Sequence, residues 1–243
     1  MKQKLIIMLL CLFSGLLNAQ TTSEKKGNWD YPVKPGTEEW KLFQSGEDMV
    51  NSCQIPEIVL SSLTTEELFN LCLSYPLIKY IFAFDNLNSG FDKFFGDFNG
   101  IREFYKKKDC FIYLLNQYIQ LIKDFSFLLG KSTDYEKGKF ITSVSLLEVL
   151  LSQSVLKNET ANENSKEILH SLLVGYEEKL KYSDFFKGVG FRSNVYARIQ
   201  VIYEIYKNKE AFPLSVNNLA KLSGMIDEQS LRMIDELSYQ LIK

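Results

Sequence analysis

Apolar residues recur at helical spacing along most of this chain, but its first twenty residues follow a different pattern. Leu5 to Leu17 form a short, nearly unbroken apolar run behind Lys2 and Lys4, and Ala19 precedes Gln20. That order is the pattern of a secretory signal peptide, with cleavage expected between Ala19 and Gln20. The run is shorter than the roughly 20 apolar residues that cross a bilayer, and Asn18 and the polar residues 20–26 follow directly. Cys11 sits inside the run behind Leu10, so the small residue that lipid attachment needs is missing. Residues 1–19 are therefore expected to be removed, leaving the mature protein in the periplasm or outside the cell.

Residues 20–36 are polar and close on Pro32, Pro35 and Gly36, which predicts a flexible or extended arm. From Thr37 onward the apolar positions follow the period of a helix. Thr64 and Glu67 have capping-box spacing, with Leu63 and Leu68 placed to staple the same turn. Leu68, Leu71, Cys72 and Tyr75 continue that face until Pro76. Ile101, Phe104, Tyr105, Ile112, Leu115, Ile119 and Ile122 predict one long helix after Asn99-Gly100. Ser145 and Glu148 read as a second capping box, ahead of Leu146, Leu147, Leu150 and Leu151. Ser165 opens a helix carrying Ile168, Leu169, Leu172, Leu173, Tyr176 and Leu180. Ser193 opens another with Val195, Ile199, Ile202 and Tyr206. Leu214, Ser215 and Leu219 give a staple and cap, and Asp227 starts a last helix through Leu231, Ile234, Leu237 and Leu241.

Strand-like alternation is confined to Lys139–Val144. Breaks are expected at 86–90, 130–138, 157–164 and 182–192. No fixed repeat length emerges, so no named repeat array is supported. Helices of this length joined by short polar turns bury their apolar stripes against one another. The expected fold is all-α, an antiparallel helical bundle or a short irregular α-solenoid with an extended N-terminal arm. Residues 37–243 form one helical domain, or two packed halves divided near 130–138.

Three segments carry a resemblance. Trp29-Asp30-Tyr31-Pro32-Val33-Lys34-Pro35-Gly36-Thr37-Glu38-Glu39-Trp40, then Cys53-Gln54-Ile55-Pro56 and Phe98-Asn99-Gly100-Ile101, resemble a family of exported helical proteins of Gram-negative bacteria with no assigned activity. The likeness is clearest over the first half of the mature chain. It implies export and helical content, and it supplies no catalytic residue.

Composition narrows the function classes. The chain has 28 Lys and Arg against 30 Asp and Glu; without Lys2 and Lys4 the basic count is 26 and the balance −4. A mildly acidic exported chain without a basic tail is a poor nucleic-acid binder. A hydrophobic content of 46%, with 14% aromatic residues, is ample for a buried core. No second stretch is read as long and apolar enough to cross a membrane. Beyond the leader, Cys53, Cys72 and Cys110 allow at most one internal disulfide, and Cys72 falls on an apolar helical face. A single histidine and no Cys-x-x-Cys pair argue against a metal site, and no cofactor is expected.

Each candidate catalytic motif is incomplete. Gly130-Lys131-Ser132 lacks the upstream glycine of a phosphate-binding loop, where Phe125 stands instead. Ser154 and Lys157 have the spacing of serine acyl-enzymes, but they close a helix instead of opening one, and the partner motifs are missing. His170 points away from the apolar face of its helix. Glu38-Glu39, Glu66-Glu67 and Glu177-Glu178 are adjacent pairs whose side chains diverge by about 100° on a helix. Lys106-Lys107-Lys108 reads as a solvated face, and Ala220 and Gly224 as the packing of two terminal helices. The loop Lys187–Ser193 is the one candidate ligand site. Gly188 and Gly190 free its backbone, while Arg192 and a helix start at Ser193 would favour an anion.

The expected function is therefore non-catalytic: an exported helical module that binds another protein or an envelope component. Trp29, Tyr31 and Trp40 either anchor that partner or dock on the chain itself, and docking is the expected mode, because free tryptophans on an exported protein invite aggregation and proteolysis. A hydrolase of envelope or other polymers, with carboxylates drawn from different helices, is the alternative. A periplasmic inhibitor of a toxin or enzyme, presenting an acidic surface, is a third reading.

Overall fold

The computed structural model describes residues 29–85, 87–125, 133–207, 216, 218 and 226–243, and every regular element among them is helical. The fold is all-α, and Lys139–Val144 is helix, not strand. The leader at 1–19, Gly130-Lys131-Ser132, the staple and cap residues Leu214, Ser215 and Leu219, and the Ala220–Gly224 corner lie outside the described residues.

The chain divides into two compact units. One takes in residues up to Ala83 together with Gly90–Lys107, and the other Phe84–Ser89 with Lys108–Lys243. The division falls at Lys107, not near 130–138, and residues 134–138 of the break expected there are helix.

The first unit holds α1 (Glu38–Lys41), α2 (Gly46–Ser52), α3 (Glu57–Leu60), α4 (Thr65–Leu73), a 3-10 turn (Ile78–Ala83), most of α5 (Leu87–Phe95) and α6 (Asn99–Lys106). Its cap signals are local and behave as the sequence predicts. The Thr64 hydroxyl accepts from the Glu67 amide while the Glu67 carboxylate accepts from the Thr64 amide, and Leu63 and Leu68 are both buried beside them. The core is aromatic: Tyr75 stacks on Phe98 at 4.2 Å, and Phe91 on Phe95 at 5.1 Å.

The second unit is a helical bundle of α7 (Cys110–Lys123), α8 (Asp134–Lys157), α9 (Glu159–Glu163), α10 (Ser165–Lys181), α11 (Val189–Lys207) and α12 (Glu228–Ile242). At its centre α8 packs chiefly on α11, with α7, α9 and α10 also against it. Every residue from Ser143 to Val155 is buried, so this stretch of the helix is enclosed on all sides. By length and composition α8 could cross a membrane, contrary to the sequence reading. However, 78% of the qualifying stretch is buried within the protein itself, as befits a core helix.

Three helix boundaries differ from expectation. The single helix over 101–122 is two, because Lys107 leaves α6 in an extended conformation within the Lys106-Lys107-Lys108 run. That interruption resets the phase: α7 buries Phe111, Leu114, Leu115, Tyr118 and Ile122, while Ile112 turns outward at 47% exposure. Ser145 does not cap a helix; Thr133 and Glu136 form the capping box of α8, more than three turns upstream. Ser193 does not open α11, which begins at Val189 after Gly188, whose φ of +65° suits glycine at the turn. Leu180, expected inward, is half exposed.

Candidate functional site

The second unit encloses a polar cluster assembled from four helices. Glu148 of α8 is the hub, with no surface exposed. Its Oε1 accepts from the Tyr118 hydroxyl at 2.8 Å and from Asn194 Nδ2 at 2.9 Å. Its Oε2 accepts from Lys179 Nζ and from the Ser193 hydroxyl, both at 2.6 Å. Four donors, from α7, α10 and α11, therefore meet one carboxylate. Lys179 also donates to the Gly190 carbonyl, and Asn194 to the Leu172 carbonyl at 2.9 Å.

Close approach makes this geometry possible. A Cβ on Gly175 would stand 2.0 Å from the Tyr118 hydroxyl, so only glycine at that position of α10 lets the phenol reach Glu148. One turn beyond Asn194, Arg198 is also fully buried. Its guanidinium lies over the Tyr176 ring at 4.3 Å, and Nη1 donates to Asp235 of α12 at 2.7 Å. Nε and Nη2 of Arg198, Oδ1 of Asn194 and the Ser145 hydroxyl have no hydrogen-bond partner among the described residues.

Burial sets the electrostatics. It pushes Lys179 below the usual lysine range, partly opposed by the adjoining Glu148 charge and hydrogen bond. Burial, and then the negative charge of Glu148, raises the Tyr118 hydroxyl well above the ordinary tyrosine value. Serine, lysine and glutamate side by side have the composition of an acyl-transfer centre. Here all three are sealed, and the serine and lysine protons both point at the carboxylate.

The predicted anion loop takes on a different role. Gly188 is exposed at the turn, and Gly190 and Ser193 are buried inside α11. Arg192 is half-buried, with its Nε unpartnered among the described residues. The carboxylate met by Ser193 is the chain's own Glu148, so the helix start postulated at Ser193 is corrected and its hydroxyl is already committed. Lys179, Asn194, Arg198 and Tyr118 were not singled out from the sequence, and Glu148 was read there only as half of a capping box. A signal for Glu148 existed: it stands alone among Leu146, Leu147, Val149, Leu150 and Leu151, which leaves it no solvent face.

In the first unit, the three segments that carry the family resemblance meet in space. Asn99 Nδ2 donates to the Ile55 carbonyl at 2.7 Å, and the Ile55 amide donates to Asn99 Oδ1 at 2.9 Å. The Asn99 amide donates to Gln54 Oε1 at 3.0 Å. Tyr31 of the arm is 3% exposed, donates its hydroxyl to the Leu71 carbonyl at 2.8 Å, and lies beside Tyr75 and Phe98. Trp29 meets Tyr31 edge-on at 4.8 Å, and Trp40 is buried in α1 beside Phe43. Tyr31 and Trp40 are thus packed into their own unit, and Trp29 lies against Tyr31.

The remaining candidates are placed simply. Ser154 is buried and donates to the Leu151 carbonyl, while Lys157 is exposed. His170 is exposed. Cys53, Cys72 and Cys110 are buried free thiols. Among the described residues no group of three His, Cys, Asp or Glu side chains could hold a metal ion.

Fold and site together define an all-α protein with an aromatic arm packed on one unit and a sealed ionic cluster inside the other. Compared with family models, curated proteins and solved structures, the chain matches none.

Proposed function

We propose that this chain is an exported helical module that acts by binding another macromolecule, a protein or an envelope component. The observation that carries the reading is the saturation of Glu148. The strongest acid–base grouping in the described chain is sealed from solvent and spent on four internal hydrogen bonds that fix α7, α8, α10 and α11. A carboxylate held in this way supports a rigid scaffold and disfavours a hydrolase built on it. Export rests on Met1–Ala19 and the resemblance of the arm. Both Trp40 and Tyr31 face inward, so a partner would meet other side chains, and Leu42 and Ile58 stand 73% and 82% exposed on the first unit.

Photo-crosslinking in the native host tests this reading. A photoreactive residue placed at Ile58, at Leu42, or at Tyr135 of the second unit should give one recurring adduct, identified by mass. The purified adduct partner should then bind the chain saturably. No adduct at any position, together with release of soluble fragments from cell-wall polymers by the purified chain, would favour the hydrolase reading instead.

A further inference from the structure

We propose that Asn99-Gly100 is a self-modification site that the fold keeps unreacted: once the contact of Asn99 with Gln54 and Ile55 opens, the pair cyclises and hydrolyses. Asn99-Gly100 is the only Asn-Gly pair in the chain. Glycine has no Cβ to shield its amide, so this dipeptide is the least hindered setting for attack on an asparagine side chain. The fold nevertheless requires both residues. A Cβ on Gly100 would stand 2.4 Å from Phe98 Cζ and 2.9 Å from Ile55 Cδ1. Asn99 spends both ends of its side-chain amide on one residue: Nδ2 donates to the Ile55 carbonyl at 2.7 Å, and Oδ1 accepts from the Ile55 amide at 2.9 Å. The Asn99 backbone amide donates to Gln54 Oε1 at 3.0 Å. Gln54 Nε2 is held in turn by the Val50 and Asp97 carbonyls at 2.9 and 3.1 Å.

Cyclisation needs Asn99 Cγ to turn onto the Gly100 nitrogen, and that turn breaks both bonds to Ile55. In the open state the Gly100 nitrogen attacks Asn99 Cγ. A new C–N bond closes a succinimide ring as the Cγ–Nδ2 bond breaks, and Nδ2 leaves as ammonia with the proton that the Gly100 nitrogen gave up. Water then adds to either ring carbonyl and opens the ring to aspartate or to isoaspartate. Ammonia is exchanged for water, and nothing is oxidised or reduced. The product cannot restore the contact. A carboxylate at position 99 has no proton to give the Ile55 carbonyl, and it sets oxygen against oxygen where a hydrogen bond stood. Isoaspartate also lengthens the backbone next to Phe98, which stacks on Tyr75 at 4.2 Å. Opening of this contact is therefore reversible only until the chemistry records it.

The test incubates the full chain in mildly alkaline buffer and follows the peptide containing Asn99 by mass, reading the exchange of ammonia for water. In the native chain conversion should be slow, and in urea at the same pH roughly ten-fold or more faster. Gln54→Ala removes the acceptor of the Asn99 amide and should speed conversion roughly five-fold, the change in opening expected from one lost hydrogen bond. Thr64→Ala removes the cap of α4 in the same unit without touching the contact, so it separates a local effect from general loosening. A larger gain in Gln54→Ala than in Thr64→Ala, for each degree of melting temperature lost, supports the proposal. Equal gains, no gain in Gln54→Ala, or a native chain that converts as fast as the chain in urea would overturn it. Asn99→Asp supplies the side chain of the product. Its urea midpoint should fall below the native one even though the helix dipole favours a carboxylate in this first turn. A midpoint at or above the native value would refute the one-way step.

Discussion

Lys179 Nζ lies 2.6 Å from Glu148 Oε2, and neither side chain has any surface exposed. An isolated buried charge is expensive, and a pair recovers that cost only when its remaining hydrogen-bonding capacity is met. Glu148 meets the condition through Tyr118, Ser193 and Asn194. The pair therefore acts as a registry key, joining the C-terminal turn of α10 to the middle of α8. Removing one partner is a different perturbation from removing both.

Lys179→Met should cost about 3–5 kcal/mol in urea unfolding, because it strands the Glu148 charge in the core. Adding Glu148→Gln, which removes that charge and keeps an acceptor for Tyr118 and Asn194, should recover a large part of the loss. Strictly additive losses in the two single variants and the double would show that the charges are not coupled.

Gly175→Ala should destabilise despite alanine's better helix propensity. The added Cβ meets the Tyr118 hydroxyl at 2.0 Å, and overpacking of this kind typically costs about 1–3 kcal/mol. Tyr118→Phe removes the nearest atom, so the double variant should lose less than the sum of the two single variants. Thermal melts of the four proteins measure this.

Alkaline pH should weaken the fold. Burial raises Cys53 from 9.0 to about 11 and Cys110 from 9.0 to about 12. A group with a raised folded pKa holds its proton more tightly when folded. Its contribution is thus complete below pH 9 and is lost as the pH climbs toward 11 and 12. Tyr118 and Tyr31, raised by burial, extend the loss upward. Lys179 works in the opposite direction, since its lowered pKa means that its burial cost eases as pH rises toward 10.5. A urea midpoint that falls above pH 9, and falls more steeply in the Lys179→Met, Glu148→Gln double variant, is the expected result. A midpoint flat to pH 11 would contradict it.

Local signals were legible and long-range ones were not. Thr64 with Glu67, and Asp227 with its bond from the Ser230 amide, cap helices where the sequence places them, because capping involves residues one turn apart. Ser145 and Glu148 have the same spacing but lie in a run buried on every side, so the apparent cap was core. The spacing rule cannot separate those cases; the unbroken apolar flank of Glu148 can. The partners of Glu148 come from 30 to 46 residues away, a pairing that no period in one sequence reveals. In the arm, inward docking of Tyr31 is the expected mode, and its hydroxyl donates to the Leu71 carbonyl, a partner 40 residues away that no local pattern names.

Deleting residues 20–36 should lower the melting temperature of the first unit by several degrees or more. The deletion removes Tyr31, whose burial is worth roughly 1.5–3 kcal/mol, its bond to the Leu71 carbonyl, about 1 kcal/mol, and the edge contact with Trp29. For a small domain each kcal/mol shifts the midpoint by roughly 4–8 °C. The chain has 2 tryptophans, so the truncated protein retains Trp40 alone. Trp40 is buried in the first unit, and its fluorescence follows that unit without interference from the second. Tyr31→Phe should show only the hydrogen-bond share of the loss, and Tyr31→Ala most of it. A Trp40 melting curve unchanged by the deletion would mean that the arm adds nothing to the unit it lies on, and that its aromatics are held for a partner.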